Sequence, residues 1–189
     1  MMKKTLGKIS IVAAMVFGAV TAAQADVTVN VQGSVAATTC DIQSNMDNQT
    51  INLGTHARTD LSSTGDEVGS QPFILTFGSC TGEDLPEGEH MKLQVTGESL
   101  NDSGGSNLWG DKNGLGWGVV LKDQGNNSTI DAVGGVAQYD LGAEGDSGGT
   151  KAEDIELTPL NMSVALKSYS STIKSGTQKT SLVFTAMYN

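Results

Sequence analysis

Cys40 and Cys80 are the only cysteines in the 189 residues, and a thiol pair can bind a metal, shuttle electrons or close a disulfide. They form no C-x-x-C and neither has a histidine beside it, so in an exported chain a structural bridge is the expected use. Closing a loop of about 40 residues would contribute roughly 4 kcal/mol on the chain-entropy model. His56 and His90 lie far apart in polar settings and make no metal-ligand spacing. The turns at residues 111–114 and 142–149 faintly echo calcium loops, without the spaced carboxylates and distal glutamate such loops need. Arg58 is the sole arginine, which leaves nothing to build an anion clamp. There is no G-x-S-x-G and no P-loop. The 21 acidic residues could in principle supply a glycosidase pair, but scattered carboxylates on an exported protein read as surface solvation. The inventory predicts no catalytic site, no cofactor and no metal.

The export signal is read from the first 25 residues. Lys3, Lys4 and Lys8 precede an apolar run at residues 9–23, and Ala23-Gln24-Ala25 supplies the small residues of a cleavage site, so the mature chain is expected to begin at Asp26. The run falls short of the roughly 20 residues needed to span a bilayer. With three of the 11 basic residues in the leader, 8 remain against 21 acidic ones, a formal charge of 8 − 21 = −13. That balance excludes nucleic acid as a partner class. Of 24 glycines only Gly7 and Gly18 fall in the leader, and aromatics make up just 5% of the chain, which predicts a lean core and many turns.

The elements that must position anything functional are strands. Short alternating or apolar runs at residues 27–37, 50–53, 72–77, 91–95, 116–122, 136–141, 155–166 and 181–188 are separated by polar, glycine-rich breaks. The breaks at residues 101–107, 110–114, 123–128 and 142–149 carry turn chemistry. No stretch of 11 residues holds a 3.6 period, although residues 60–68 could hold a helical turn. The class is all-β, an immunoglobulin-like sandwich, with a small barrel as the competing architecture.

Both ends of the mature chain alternate. Val27, Val29, Val31, Gly33, Val35 and Ala37 share one side of the first run, and Leu182, Phe184, Ala186 and Tyr188 share one side of the last. Together with Gly33 seven residues before Cys40, INLG at residues 51–54, LTFGSC at residues 75–80, Gly176 fourteenth from the end and a penultimate Tyr188, these runs resemble the pilins of the chaperone-usher pathway, of the type 1 and P pilus kind.

The resemblance implies an immunoglobulin-like sandwich lacking its seventh strand and completed by a donor strand. Residues 1–25 would be the signal peptide, 26–37 the donor extension and 38–189 the pilin domain. Val29, Val31, Gly33, Val35 and Ala37 would be the donor positions, and Gly176, Leu182, Phe184, Ala186 and Tyr188 would serve the acceptor groove and its chaperone contact. The implied partners are other copies of the chain or related pilins, a periplasmic chaperone and an outer-membrane usher. The implied destination is a surface fimbria that supports adhesion, reached through the periplasm. The reading favours a major subunit. The 14 residues ahead of Cys40 are fewer than typical rod subunits carry, so a minor or adaptor pilin is the alternative. The rival of a different class is a self-contained secreted sandwich that stacks sugars on Trp109 and Trp117, although the sequence around them reads more simply as a turn into a packed strand.

Overall fold

The computed structural model describes residues 36–45, 50–102, 104–105 and 107–188. Eight strands appear: β1 (Thr38–Ser44), β2 (Glu67–Gly82), β3 (His90–Gly97), β4 (Trp117–Asp123), β5 (Ser128–Thr129), β6 (Val136–Glu144), β7 (Leu160–Ser168) and β8 (Leu182–Tyr188). They pair antiparallel in the order β5-β4-β7-β2-β1-β8-β3-β6, and the protein is all-β.

Alternation explains most of these strands. In β3, Met91, Leu93 and Val95 are fully buried while the residues between them are only half-buried. The apolar run of β4 is buried on both faces for a different reason. Val119 and Leu121 enter the main core, whereas Val120 faces a second cluster with Leu100, Leu108 and Ala165, so the segment ahead of β4 covers its outer side.

The sheet curls over itself. Strands β4 and β3 stand five steps apart, about 24 Å in a flat sheet at roughly 4.8 Å per step, yet Val119, Leu121, Leu93 and Val95 share one core cluster. Trp109 closes the gap between the two ends. It bridges to Ser99 just beyond β3 on one side and to Val119 on the other, exchanging two 2.8 Å backbone hydrogen bonds with Val119. The Tyr139 hydroxyl of β6 donates to Asp123 at the end of β4, which ties the same two ends together. Burial first, and then the neighbouring Asp123 carboxylate, push the Tyr139 hydroxyl above its ordinary pKa. Across β2, β7 and β4, Glu67 accepts hydrogen bonds from Lys122 (2.6 Å) and Lys167 (3.1 Å). Burial alone would raise the Glu67 pKa, but the two ammonium groups outweigh it and hold the carboxyl below its usual value.

The structure departs from the sequence reading at particular places. The run at residues 50–53 is not a strand: Asn52 Oδ1 accepts the Gly54 N–H at 2.8 Å and Gly54 takes φ +83°, so the chain turns there while Ile51 and Leu53 still lean on the core. β7 starts at Leu160 rather than at residue 155, after a 3-10 turn at Ala152–Asp154 and Pro159, which has no N–H to give a ladder. β2 runs well past the apolar residues 72–77 at both ends. The helical turn expected within residues 60–68 is a 3-10 turn at Arg58–Leu61 that buries Leu61. The expected strand at residues 27–37, and the leader before it, lie outside the described residues apart from Ala36 and Ala37.

Cys40 and Cys80 are disulfide-bonded and face each other directly in the β1–β2 ladder. Reduction, or Cys40→Ser with Cys80→Ser, is expected to cost roughly 4 kcal/mol and to lower the thermal midpoint by about 10 °C. Identical melting curves with and without reductant would remove the bridge from the list of stabilising features.

Candidate functional site: the open edge of β8

Strand β8 has two neighbours of very different extent. With β3 it pairs along its length, from Gly97↔Leu182 to Lys92↔Met187. With β1 it pairs only at Thr38↔Tyr188, Thr39↔Met187 and Cys40↔Ala186. A bulge between Cys40 and Ile42 then carries β1 away to pair with β2 alone. Among the described residues, therefore, Leu182–Thr185 has a strand on one side only.

The side chains along that edge alternate as the sequence predicts. Leu182, Phe184, Ala186 and Tyr188 all pack on the main core, with Ala186 fully buried and the other three half-buried. The Phe184 ring reaches across to Phe73 of β2, with centroids 6.0 Å apart and planes inclined at 58°. Phe73 was not foreseen as part of the site, although its alternation with Leu75 and Phe77 in one run was the available signal.

Of the expected donor positions, Val29, Val31, Gly33 and Val35 lie outside the described residues. Ala37 stands at the joint. Its N–H donates to the Tyr188 carbonyl at 3.1 Å and its carbonyl accepts from Glu83 N–H at 2.8 Å, so both its backbone groups are used within its own domain. Gly82 packs so closely there, at φ +125°, that a Cβ would sit 2.2 Å from the Ala37 oxygen.

Gly176 is not brought to the face of β8. It is exposed, six residues ahead of the strand, against the Leu115 side chain, where a Cβ would come within 2.9 Å of it. The segment around it is strapped to the loop before β4. Lys174 N–H donates to the Leu115 carbonyl, and the Trp117 indole donates to the Lys174 carbonyl at 3.0 Å. Gln178 bonds both backbone groups of Lys112, and Asp111 accepts the Lys179 N–H at 2.9 Å. Asp102 accepts from the Gly114 N–H and the Tyr169 hydroxyl, which hold its carboxyl below the usual range, the Gly114 bond contributing most. Residues 111–117 thus fix where β8 begins.

The two tryptophans are not presented to a ligand. Trp109 is fully buried with its indole N–H on the Ile130 carbonyl at 3.2 Å, and Trp117 is 8% exposed. Among the described residues no group of three or more His, Cys, Asp or Glu is placed to hold a metal, and no helix is long and apolar enough to cross a membrane.

Among curated proteins no sequence matches significantly. Among solved structures, the crystal structure of the P pilus rod subunit PapA superposes with a TM-score of 0.49 at 18% identity, covering 86% of this chain and 99% of that one. A chaperone-usher pilus structure concerned with rod uncoiling gives a TM-score of 0.44 at 21% identity, covering 88% of this chain and 97% of that one. The family model described as fimbrial protein matches residues 19–189, nearly the whole chain. The chain therefore belongs to the fimbrial-protein family, the subunits of chaperone-usher pili, which are structural pilins of the surface fimbrium and not enzymes.

Proposed function

We propose that this chain polymerises by donor-strand exchange as the major subunit of an adhesive surface fimbria. The observation that carries the reading is the one-sided pairing of Leu182–Thr185. An edge of this kind presents unpaired N–H and C=O groups, and an extended segment added to it satisfies them while its alternate side chains enter the core side. The donor is a neighbouring copy's extension, with Val29, Val31, Gly33 and Val35 facing Leu182, Phe184, Ala186 and Tyr188, and with Ala37 acting as the joint to the donor's own domain. Strand and groove are different surfaces of one subunit, so the contact is heterologous and propagates as a filament. Before assembly a periplasmic chaperone covers the edge, with the Gly176 segment beside it, and an outer-membrane usher directs the exchange.

The burial of both tryptophans gives the sugar-stacking alternative no platform at Trp109 or Trp117. Electron microscopy of cells carrying the complete assembly system, with and without this chain, tests the assignment. Loss of the whole shaft is expected. Fibres that persist but are shorter or rarer would make this a minor or adaptor pilin.

A further inference from the structure

Among the described residues the large apolar side chains that stand exposed are Val133 (65%), Val136 (42%) and Val183 (59%), and all three fall at one end of the β6–β3–β8 face. Val183 pairs with Thr96, and Thr96 with Val136, which makes one row across three strands on the side turned away from the core. Val133 lies in the 3-10 turn that leads directly into Val136. The next row along the same outer side, Thr185–Gln94–Gln138, is also uncharged. Charge returns only in the third row, where Lys92 pairs with Asp140.

Six neighbouring positions without charge stand out on a chain whose formal charge is −10. Copies of an acidic chain repel one another, and the surface where they can meet is one emptied of charge, with apolar groups at its centre and polar groups at its rim. We propose that the Val136–Thr96–Val183 row, flanked by Val133, is a lateral docking surface for a second copy of this chain within the same fibre. The proposal rests on the donor-strand reading.

Two observations point to a second copy. Val183 lies on β8 itself, between Leu182 and Phe184, so the row is continuous with the edge on which the neighbouring copy's strand would seat. The pair of uncharged rows also fits an equally acidic partner better than a basic one, for which these rows offer no carboxylate. Once copies are joined in a fibre their effective concentration is on the order of millimolar, so a contact too small to dimerise free subunits becomes sufficient.

The test compares fibres of the full chain with those of Val136→Glu/Val183→Glu and of Val136→Thr/Val183→Thr, the latter keeping the branched strand-forming shape. Electron microscopy reads fibre diameter and helical order, and a peptide of residues 26–37 reads groove function separately through its thermal shift. The glutamate pair is expected to keep the peptide shift but yield thin fibres without the regular subunit packing of the parent, while the threonine pair retains that packing. Glutamate fibres with the parent's diameter and repeat, whatever other binding they lose, would overturn the proposal. So would a parent fibre whose subunits touch only in line. If the glutamate pair abolishes the peptide shift by misfolding, Val136→Ser/Val183→Ser decides by the same readout. Absence of a peptide shift in the parent would instead refute the donor-strand reading, and this proposal with it.

Discussion

A chain lacking residues 26–37, prepared without a chaperone, is expected to be poorly stable, and a synthetic peptide of those residues is expected to restore it. The edge left by β1 is four residues long between Leu182 and Thr185, and it flanks the half-buried Leu182 and Phe184. A donor strand adds backbone hydrogen bonds there and buries three or four valine-sized side chains at roughly 1.5 to 3 kcal/mol each. Ordering an extended peptide offsets part of this, because each residue fixed costs about 1 to 2 kcal/mol. A net gain of about 5 kcal/mol raises the thermal midpoint of a domain this size by roughly 10 to 20 °C, and the rise must grow with peptide concentration because only the folded state binds it. A scrambled peptide, which destroys the alternation while keeping the composition, should have no such effect. A truncated chain that melts at the same high temperature with or without the peptide would show that the sandwich seals itself and that the edge of β8 is not an acceptor.

How much of this was legible in the residues differs from strand to strand. β3, β4, β6 and β8 declare themselves because their apolar positions repeat at period two or run unbroken, and the structure places them within a residue or two at most ends. β1 does not. Its sequence TTCDIQS is largely polar, and Thr38 is nonetheless fully buried because its hydroxyl donates to the Glu83 carbonyl, while Cys40 is fixed by the disulfide. Those are tertiary partners that no local pattern reveals. The same limit applies to the candidate site. The inward face of β8 was readable from Leu182, Phe184, Ala186 and Tyr188, but its missing neighbour depends on a bulge after Cys40 that sends β1 toward β2. Trp109 shows the converse: it sits among turn residues in the sequence, and its burial follows from backbone bridges to both ends of the curled sheet.

The substitution Gly33→Arg is expected to abolish fibre formation while leaving the subunit folded and able to take a donor peptide. In the alternating run Val29, Val31, Gly33, Val35, the glycine is the one position without a side chain, a pattern expected where the acceptor approaches too closely for a Cβ. An arginine at that point would need to place a guanidinium among Leu182, Phe184 and their core neighbours. The effective cost of desolvating an unpaired charge is several kcal/mol, comparable to the whole gain expected from the donor strand. The groove itself is unchanged by the substitution, so the variant's thermal shift with the unmodified 26–37 peptide should equal the parent's, and only its capacity to serve as donor should be lost. Gly33→Ala, with a single methyl, should weaken assembly without abolishing it. Normal fibres from the arginine variant would show that residue 33 does not enter the groove and that the donor register is wrong. A variant that fails to bind the unmodified peptide would place residue 33 in the fold of its own subunit rather than in that of its neighbour.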